Sequence, residues 1–96
     1  MSQQKQLTAI VHGYVQGVSF RYYTRQTANR LGLTGWVANR RDGTVKAVAE
    51  GNEATLEELL AFLHEGSPAA RVERVEETWA EAEDAFRNFS VRYIDG

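Results

Sequence analysis

Hydrophobic and polar positions change period several times along the chain, and each change marks a candidate element. The run "LTAIVHGYV" (7–15) is rich in β-branched and apolar residues and predicts a first strand, stopped by Gly13 and Gly17. In "RYYTRQTANRL" (21–31), Thr24, Thr27, Ala28 and Leu31 fall at i, i+3, i+4 and i+7, the stripe of an amphipathic helix, and Gly32 is placed to cap its end. "TGWVANR" and "TVKAVAEG" read as two short strands. Asp42 and Gly43, after Arg41, signal a hairpin between them, because both tolerate positive φ, so these strands are expected to be antiparallel neighbours.

The clearest element is "NEATLEELLAFLHEG", which sets Leu56, Leu59, Leu60 and Leu63 at helical spacing. Its start is offered either by Asn52 as N-cap or by Thr55 with Glu58 as a capping box, and acidic residues crowd the first turn, where the helix dipole favours them. Gly66 ends it, with Pro68 just beyond. Segment 71–82 carries two patterns at once. Val72, Val75, Trp79 and Ala82 fit a helical stripe, whereas the β-branched and aromatic content allows an irregular strand, and pattern alone leaves both open. "FSVRYI" (89–94) reads as a strand after the polar stretch Glu81 to Asp84. Taking 71–80 as strand gives βαββαβ plus a short C-terminal strand. That order is the α+β, ferredoxin-like split βαβ arrangement, with an antiparallel sheet and, through right-handed crossovers, both helices on one face.

Composition narrows the class. With 96 residues and 43% hydrophobic content, one domain over 1–96 is expected, burying roughly 60 to 70% of its unfolded surface. No cysteine is present, so neither a disulfide framework nor a thiolate metal site arises. The start "MSQQKQLTAIV" does not read as a signal peptide and no apolar run reaches membrane-spanning length, so we expect a soluble, cytoplasmic monomer with no membrane partner. Net charge is −2, which speaks against a general nucleic-acid surface. The balance is uneven: residues 1–48 hold seven Lys/Arg against one Asp/Glu, and residues 49–96 hold four against twelve. The basic half suits an anionic ligand; equally, two halves interleaved in one fold would wear the same charges as solvated surface.

The common catalytic constellations are nearly absent. His12 and His64 lie 52 residues apart with no metal-ligand spacing, and each fits a structural role. The glutamates at 73, 76, 77, 81 and 83 read as a solvated face. No metal or other cofactor is expected. What remains is "GYVQGVSFR" (13–21), between the first strand and the first helix. Its glycines admit backbone angles closed to other residues, so amides from Val15, Gln16, Gly17, Val18, Ser19 and Phe20 can converge on an anion, and the following helix aims its positive end at the same place. Arg21 adds a fork of donors matched to phosphate oxygens. There is no G-x-x-x-x-G-K-[ST], so a nucleoside triphosphate with magnesium is not indicated. On these residues alone, a plain tight turn with a surface Arg21 stays open beside the phosphate cradle.

The same loop, followed by "GLTGWVANRRDGTV" and later by "SPAARV" and "FSVRY", resembles the acylphosphatase family over residues 7 to 95, with several long motifs in family order. The resemblance implies the ferredoxin-like fold, and with it a strand over 71–80. It implies that the loop amides and Arg21 hold a phosphate and that Asn39, eighteen positions after Arg21, holds the attacking water. The implied reaction splits the carboxyl–phosphate bond of a small acyl phosphate into a carboxylate and inorganic phosphate. "SPAARV" departs from the more glycine-rich turn of many members, which bears on turn geometry more than on chemistry. Without the resemblance, Asn39 at a strand end would be read as a local hydrogen-bonding residue. Trp36 and Trp79 read as packing groups, and Arg40, Arg41 and Lys46 could steer an anion, though exposed hairpin charges usually only solubilise.

Two rival readings belong to other classes. The ferredoxin-like fold also carries RNA readers, but "TVKAVAEG" lacks their interleaved aromatics, and "GLTG" leads from a helix into a strand rather than joining two helices. No nucleic-acid partner is expected. The other rival is a non-catalytic phosphate or acyl-phosphate binding module of the same fold.

Overall fold

A computed structural model describes residues 4–95. In chain order the elements are β1 (Gln4–Tyr14), α1 (Phe20–Arg30), β2 (Thr34–Arg40), β3 (Val45–Asn52), α2 (Glu53–Glu65), β4 (Arg71–Glu81) and β5 (Phe89–Asp95). The strands form one sheet in the order β4-β1-β3-β2-β5. Neighbouring strands among β4, β1, β3 and β2 are antiparallel as expected, but β5 runs parallel to β2, so the sheet is mixed rather than antiparallel throughout.

Alternation along the strands decides what each face does. Leu7, Ala9 and Val11 of β1 pair with Ala49, Ala47 and Val45 of β3, and β2 places Val37 and Asn39 opposite Ala47 and Val45, so all of these share one face. Both helices close over that face: Phe20 and Ala28 of α1 and Leu56, Leu59, Leu60 and Leu63 of α2 join its residues in one buried cluster. A leucine moved from water into such a core contributes about 1.5–3 kcal/mol, which makes the α2 stripe a major support of the sheet. The other face holds a smaller cluster of Trp36, Ala38 and Val48, covered by Phe86 from the segment before β5. Trp36 is buried there beneath the Arg92 guanidinium, 4.3 Å from the ring centroid, and Trp79 is half-buried at the margin of the main core, so both tryptophans pack.

Local chemistry explains the element ends. Asn52, not the Thr55 and Glu58 box, starts α2: its Oδ1 accepts from the Thr55 amide at 3.0 Å. Past the Leu31 cap of α1, the Gly32 amide donates to Asn29 O and the Leu33 amide to Ala28 O, the paired bonds of a Schellman ending. The ambiguous segment is strand β4, with a register shift against His12 and Gly13 of β1 that passes over Glu73. One extra residue reverses side-chain parity. Val72 and Val75, three apart, therefore both face the core, and a bulged strand shows the spacing of a helix.

Gly13 is not a stop, because β1 continues through it to Tyr14. It sits at the bulge with φ 131°, and a Cβ there would lie 2.1 Å from Arg71 O.

Candidate active site

Residues 15–19 leave β1 and enter α1 without regular structure, and three buried side chains nail them down: Val15, Val18 and Phe20 are all in the main core. With the side chains drawn inward, the backbone is what the loop presents. Gly17 (φ 76°) and Ser19 (φ 62°) take the left-handed conformation that turns successive amides toward one side. Among the described residues, none of the backbone amides of residues 16–20 is engaged by another group. Unpaired amides beside the N-terminus of α1, with the partial positive charge of the helix behind them, are chemistry suited to an anion.

Two distant side chains hold this loop. Ser67 Oγ, in the turn before β4, donates to the buried Val18 O at 2.7 Å. Gln16 Nε2 donates to Arg40 O at 2.7 Å and to Thr44 O at 2.9 Å, the two carbonyls at the base of the β2–β3 hairpin. Both tie-downs act on carbonyl groups or side chains and leave the amides free. The hairpin has its own internal brace, since Asp42 Oδ1 accepts from Thr44 Oγ1 at 2.6 Å and from the Thr44 amide at 3.0 Å. Those two bonds, ahead of the nearby Arg40 charge, hold the Asp42 carboxyl below its ordinary pKa.

Arg21 stands in the first turn of α1, where a cation runs against the helix dipole and stability alone would favour an acid. Its position is fixed from β5: Nη1 donates to Arg92 O at 2.9 Å and to Tyr93 O at 3.3 Å. These carbonyls are presented where the β2–β5 pairing slips, Ala38 matching Arg92 and Asn39 matching Ile94, so that Tyr93 is passed over. Asn39, near the end of β2, shares the helix-covered face, and its Oδ1 is buried with no hydrogen-bond partner among the described residues. A buried, unpaired acceptor costs on the order of 1–3 kcal/mol, which a fold keeps when a ligand completes it.

A cavity of about 520 Å³ joins these parts, lined by Val15, Gly17, Ser19, Phe20, Arg21 and Asn39 among the expected residues. Gln16 and Val18 do not line it: Gln16 turns its side chain to the hairpin and Val18 turns its own into the core. Four further residues do, namely Tyr22, Arg25, Val91 and Tyr93. Of these, only Arg25 carried a sequence signal, its i, i+4 spacing from Arg21; the part played by β5 depends on a parallel pairing that spacing cannot show. Arg40, Arg41 and Lys46 lie outside the lining. His12 pairs with Glu76 on the exposed sheet, and His64 is in the last turn of α2, each away from the cavity. Among the described residues, no group of three or more His, Asp or Glu side chains is placed to hold a metal ion.

Comparison with known proteins shows the family. A family model described as Acylphosphatase matches residues 7–91. A protein of Salinibacter ruber named acylphosphatase is 49% identical over 93% of this chain and 94% of its own. The crystal structure of acylphosphatase from Bacillus subtilis superposes with a TM-score of 0.89 at 38% identity, covering 93% of this chain and 99% of that one. The structure of an acylphosphatase from Coxiella burnetii gives 0.88 at 39% identity, covering 94% of each.

Proposed function

Since the chain belongs to the acylphosphatase family and is a hydrolase of that family, we propose that the amides of the 15–20 loop and Arg21 seat the phosphate of a small acyl phosphate and that Asn39 holds the water that attacks it. The observation that carries this assignment is convergence: unpaired loop amides, a guanidinium fixed from β5 and the unpaired Asn39 Oδ1 all serve one cavity.

The water oxygen attacks phosphorus on the side away from the acyl oxygen, the bond from phosphorus to that oxygen breaks, and the carboxylate leaves with the electron pair. A carboxylate has a conjugate-acid pKa of about 4, so it departs without a protonating side chain. Phosphoryl transfer through a loose transition state asks mainly for positioning and for stabilisation of charge on the equatorial oxygens. The amides and the N-terminus of α1 supply that stabilisation with no reorganisation, and Arg21 adds a cation with donors still to spare beyond Nη1. Asn39 orients water by accepting a hydrogen bond from it at Oδ1. Being neutral, it is a weak base, and the water proton passes to an oxygen of the phosphoryl group under attack.

The reading extends to a metal-independent, monomeric enzyme of the cytoplasm, one domain over residues 1–96, with no nucleic-acid partner. In support, every helix and strand contributes to or packs on one main core, two of the exposed aromatic residues, Tyr22 and Tyr93, line the cavity rather than forming a separate patch, and the cysteine-free composition needs no oxidising compartment. No described helix is long and apolar enough to cross a membrane.

The test is release of benzoate from benzoyl phosphate with a chelator present, for the wild type and for folded Arg21→Gln and Asn39→Ala variants. A fall of about 10²-fold or more in each variant is the scale expected for loss of a preorganised transition-state contact. Turnover that disappears with chelator, or that survives either substitution, overturns the corresponding part. Phosphate binding without turnover in the wild type would favour the binding-module reading.

A further inference from the structure

The cavity is larger than a phosphate needs; at about 520 Å³ it is within the range of pockets that take whole small ligands. Its loop end is the amide cradle. Besides the loop, it is lined by Tyr22 and Arg25 of α1 and by Val91 and Tyr93 of β5. An acyl group bonded to a phosphate in the cradle has this groove to enter, so these four residues are what the acyl group meets.

We propose that the groove between α1 and β5 is an anion subsite for the acyl end of the substrate, with Arg25 as its cation, so that acyl phosphates bearing a second, terminal anion are preferred. The proposal rests on the loop being the seat of the reacting phosphate. Arg25 follows Arg21 by four residues on the same helix, which puts their Cβ atoms roughly 5–6 Å apart on one face. The two arginines differ in commitment. Arg21 is held by the carbonyls of Arg92 and Tyr93. The Arg25 guanidinium lies over the Tyr22 ring, 6.0 Å from its centroid, and pairs with no carboxylate among the described residues.

The surroundings add to this. α1 contains no Asp or Glu, although thirteen acidic residues are present in the chain, and no carboxylate lines the cavity. A lone exposed arginine is ordinarily solvated surface. One that borders the cavity beside a phosphate cradle, with no carboxylate partner among the described residues and an aromatic ring nearby, sits where a second anion would arrive. Val91 and the rings of Tyr22 and Tyr93 offer the carbon chain between the two anions an apolar flank.

The test uses two phosphonates of equal length, butylphosphonate and 3-carboxypropylphosphonate, titrated calorimetrically into the full chain. In the wild type the carboxylate compound is expected to bind about threefold to tenfold more tightly, the scale of a solvent-exposed, charge-assisted contact. Arg25→Gln should bring the ratio of the two Kd values close to one, Arg25→Lys should keep part of it, and raising salt to about 1 M should shrink it in the wild type. Equal binding by the wild type, or a preference that survives in Arg25→Gln, overturns the proposal. Benzoyl phosphate turnover, followed in parallel, separates the two failures. If neither phosphonate binds and turnover is absent, the phosphate seat falls and the subsite with it; if turnover is intact, only the subsite falls.

Discussion

The side-chain amide of Gln16 reaches across the site to donate to Arg40 O at 2.7 Å, one residue beyond Asn39, and its second hydrogen goes to Thr44 O at 2.9 Å. The loop ahead of α1 and the strand end that carries Asn39 are thereby joined through one group. The hairpin does not depend on it, because Thr44 O also accepts from the Arg40 amide at 2.8 Å and Arg40 O from the Gly43 amide at 3.2 Å.

Gln16→Leu should therefore leave the fold standing while loosening the distance between cradle and water site. We expect a stability loss of about 1–2 kcal/mol for two hydrogen bonds removed from carbonyls that keep another donor. The fall in kcat for benzoyl phosphate should be about tenfold and exceed the change in KM, since what suffers is the alignment needed in the transition state. Urea melts and steady-state kinetics on the same preparation check both; an unchanged kcat would show that the tie has no part in alignment.

Ser67 is a different kind of anchor. Its hydroxyl bonds to Val18 O inside the protein, so Ser67→Ala leaves a buried carbonyl without its side-chain donor and should cost about 1–3 kcal/mol. The loop would then sample other conformations, weakening inorganic phosphate. A weaker phosphate Kd, read by calorimetry, together with a lower unfolding midpoint is the expected result. Full phosphate affinity in a destabilised variant would mean that the core side chains of Val15, Val18 and Phe20 suffice to hold the cradle.

These two anchors also show where sequence reading stops. The two helices, the β2–β3 hairpin and the loop ahead of α1 were legible because periodicity, Asp-Gly and glycine placement are local signals. Segment 71–80 was not, since the bulge at Glu73 gives Val72 and Val75 a helical spacing within a strand, and the family resemblance was needed to decide between the two patterns. Ser67 and Val18 are 49 residues apart, and nothing local in "SPAARV" marks its serine as a loop anchor. Gln16 was read from the sequence for its backbone amide and not as a brace, because bracing belongs to a side chain whose partners lie 24 and 28 residues away.

Gly13 and Gly17 separate two uses of glycine. At Gly13 a Cβ would sit 2.1 Å from Arg71 O with φ at 131°, so Gly13→Ala must push β1 and β4 apart, and we expect a loss above about 3 kcal/mol. At Gly17 nothing lies within 4 Å of the same position and φ is 76°, leaving the left-handed penalty of about 1–2 kcal/mol. Thermal unfolding of both variants should rank them in that order. Gly17→Ala should also weaken phosphate binding through the cradle. The reverse ranking would mean that the β1–β4 bulge relaxes at little cost.

The hairpin beside Asn39 should carry a pH signature. Thr44 bonds to the Asp42 carboxylate through its hydroxyl and its amide and lowers the folded-state pKa below the ordinary value of about 3.9. A carboxyl with a depressed folded pKa stabilises the fold at pH above its unfolded value, and that contribution fades as pH falls through the folded value. Asp42→Asn keeps an acceptor oxygen but has no such titration. At about pH 5 the variant should be less stable than the wild type in urea, and the difference should narrow steadily on going below about pH 4. Other depressed carboxyls, such as Glu76 beside His12, are present in both proteins and drop out of the difference. A gap of constant size from about pH 5 down to about pH 3 would show that the hairpin bonds to Thr44 are indifferent to the charge on Asp42.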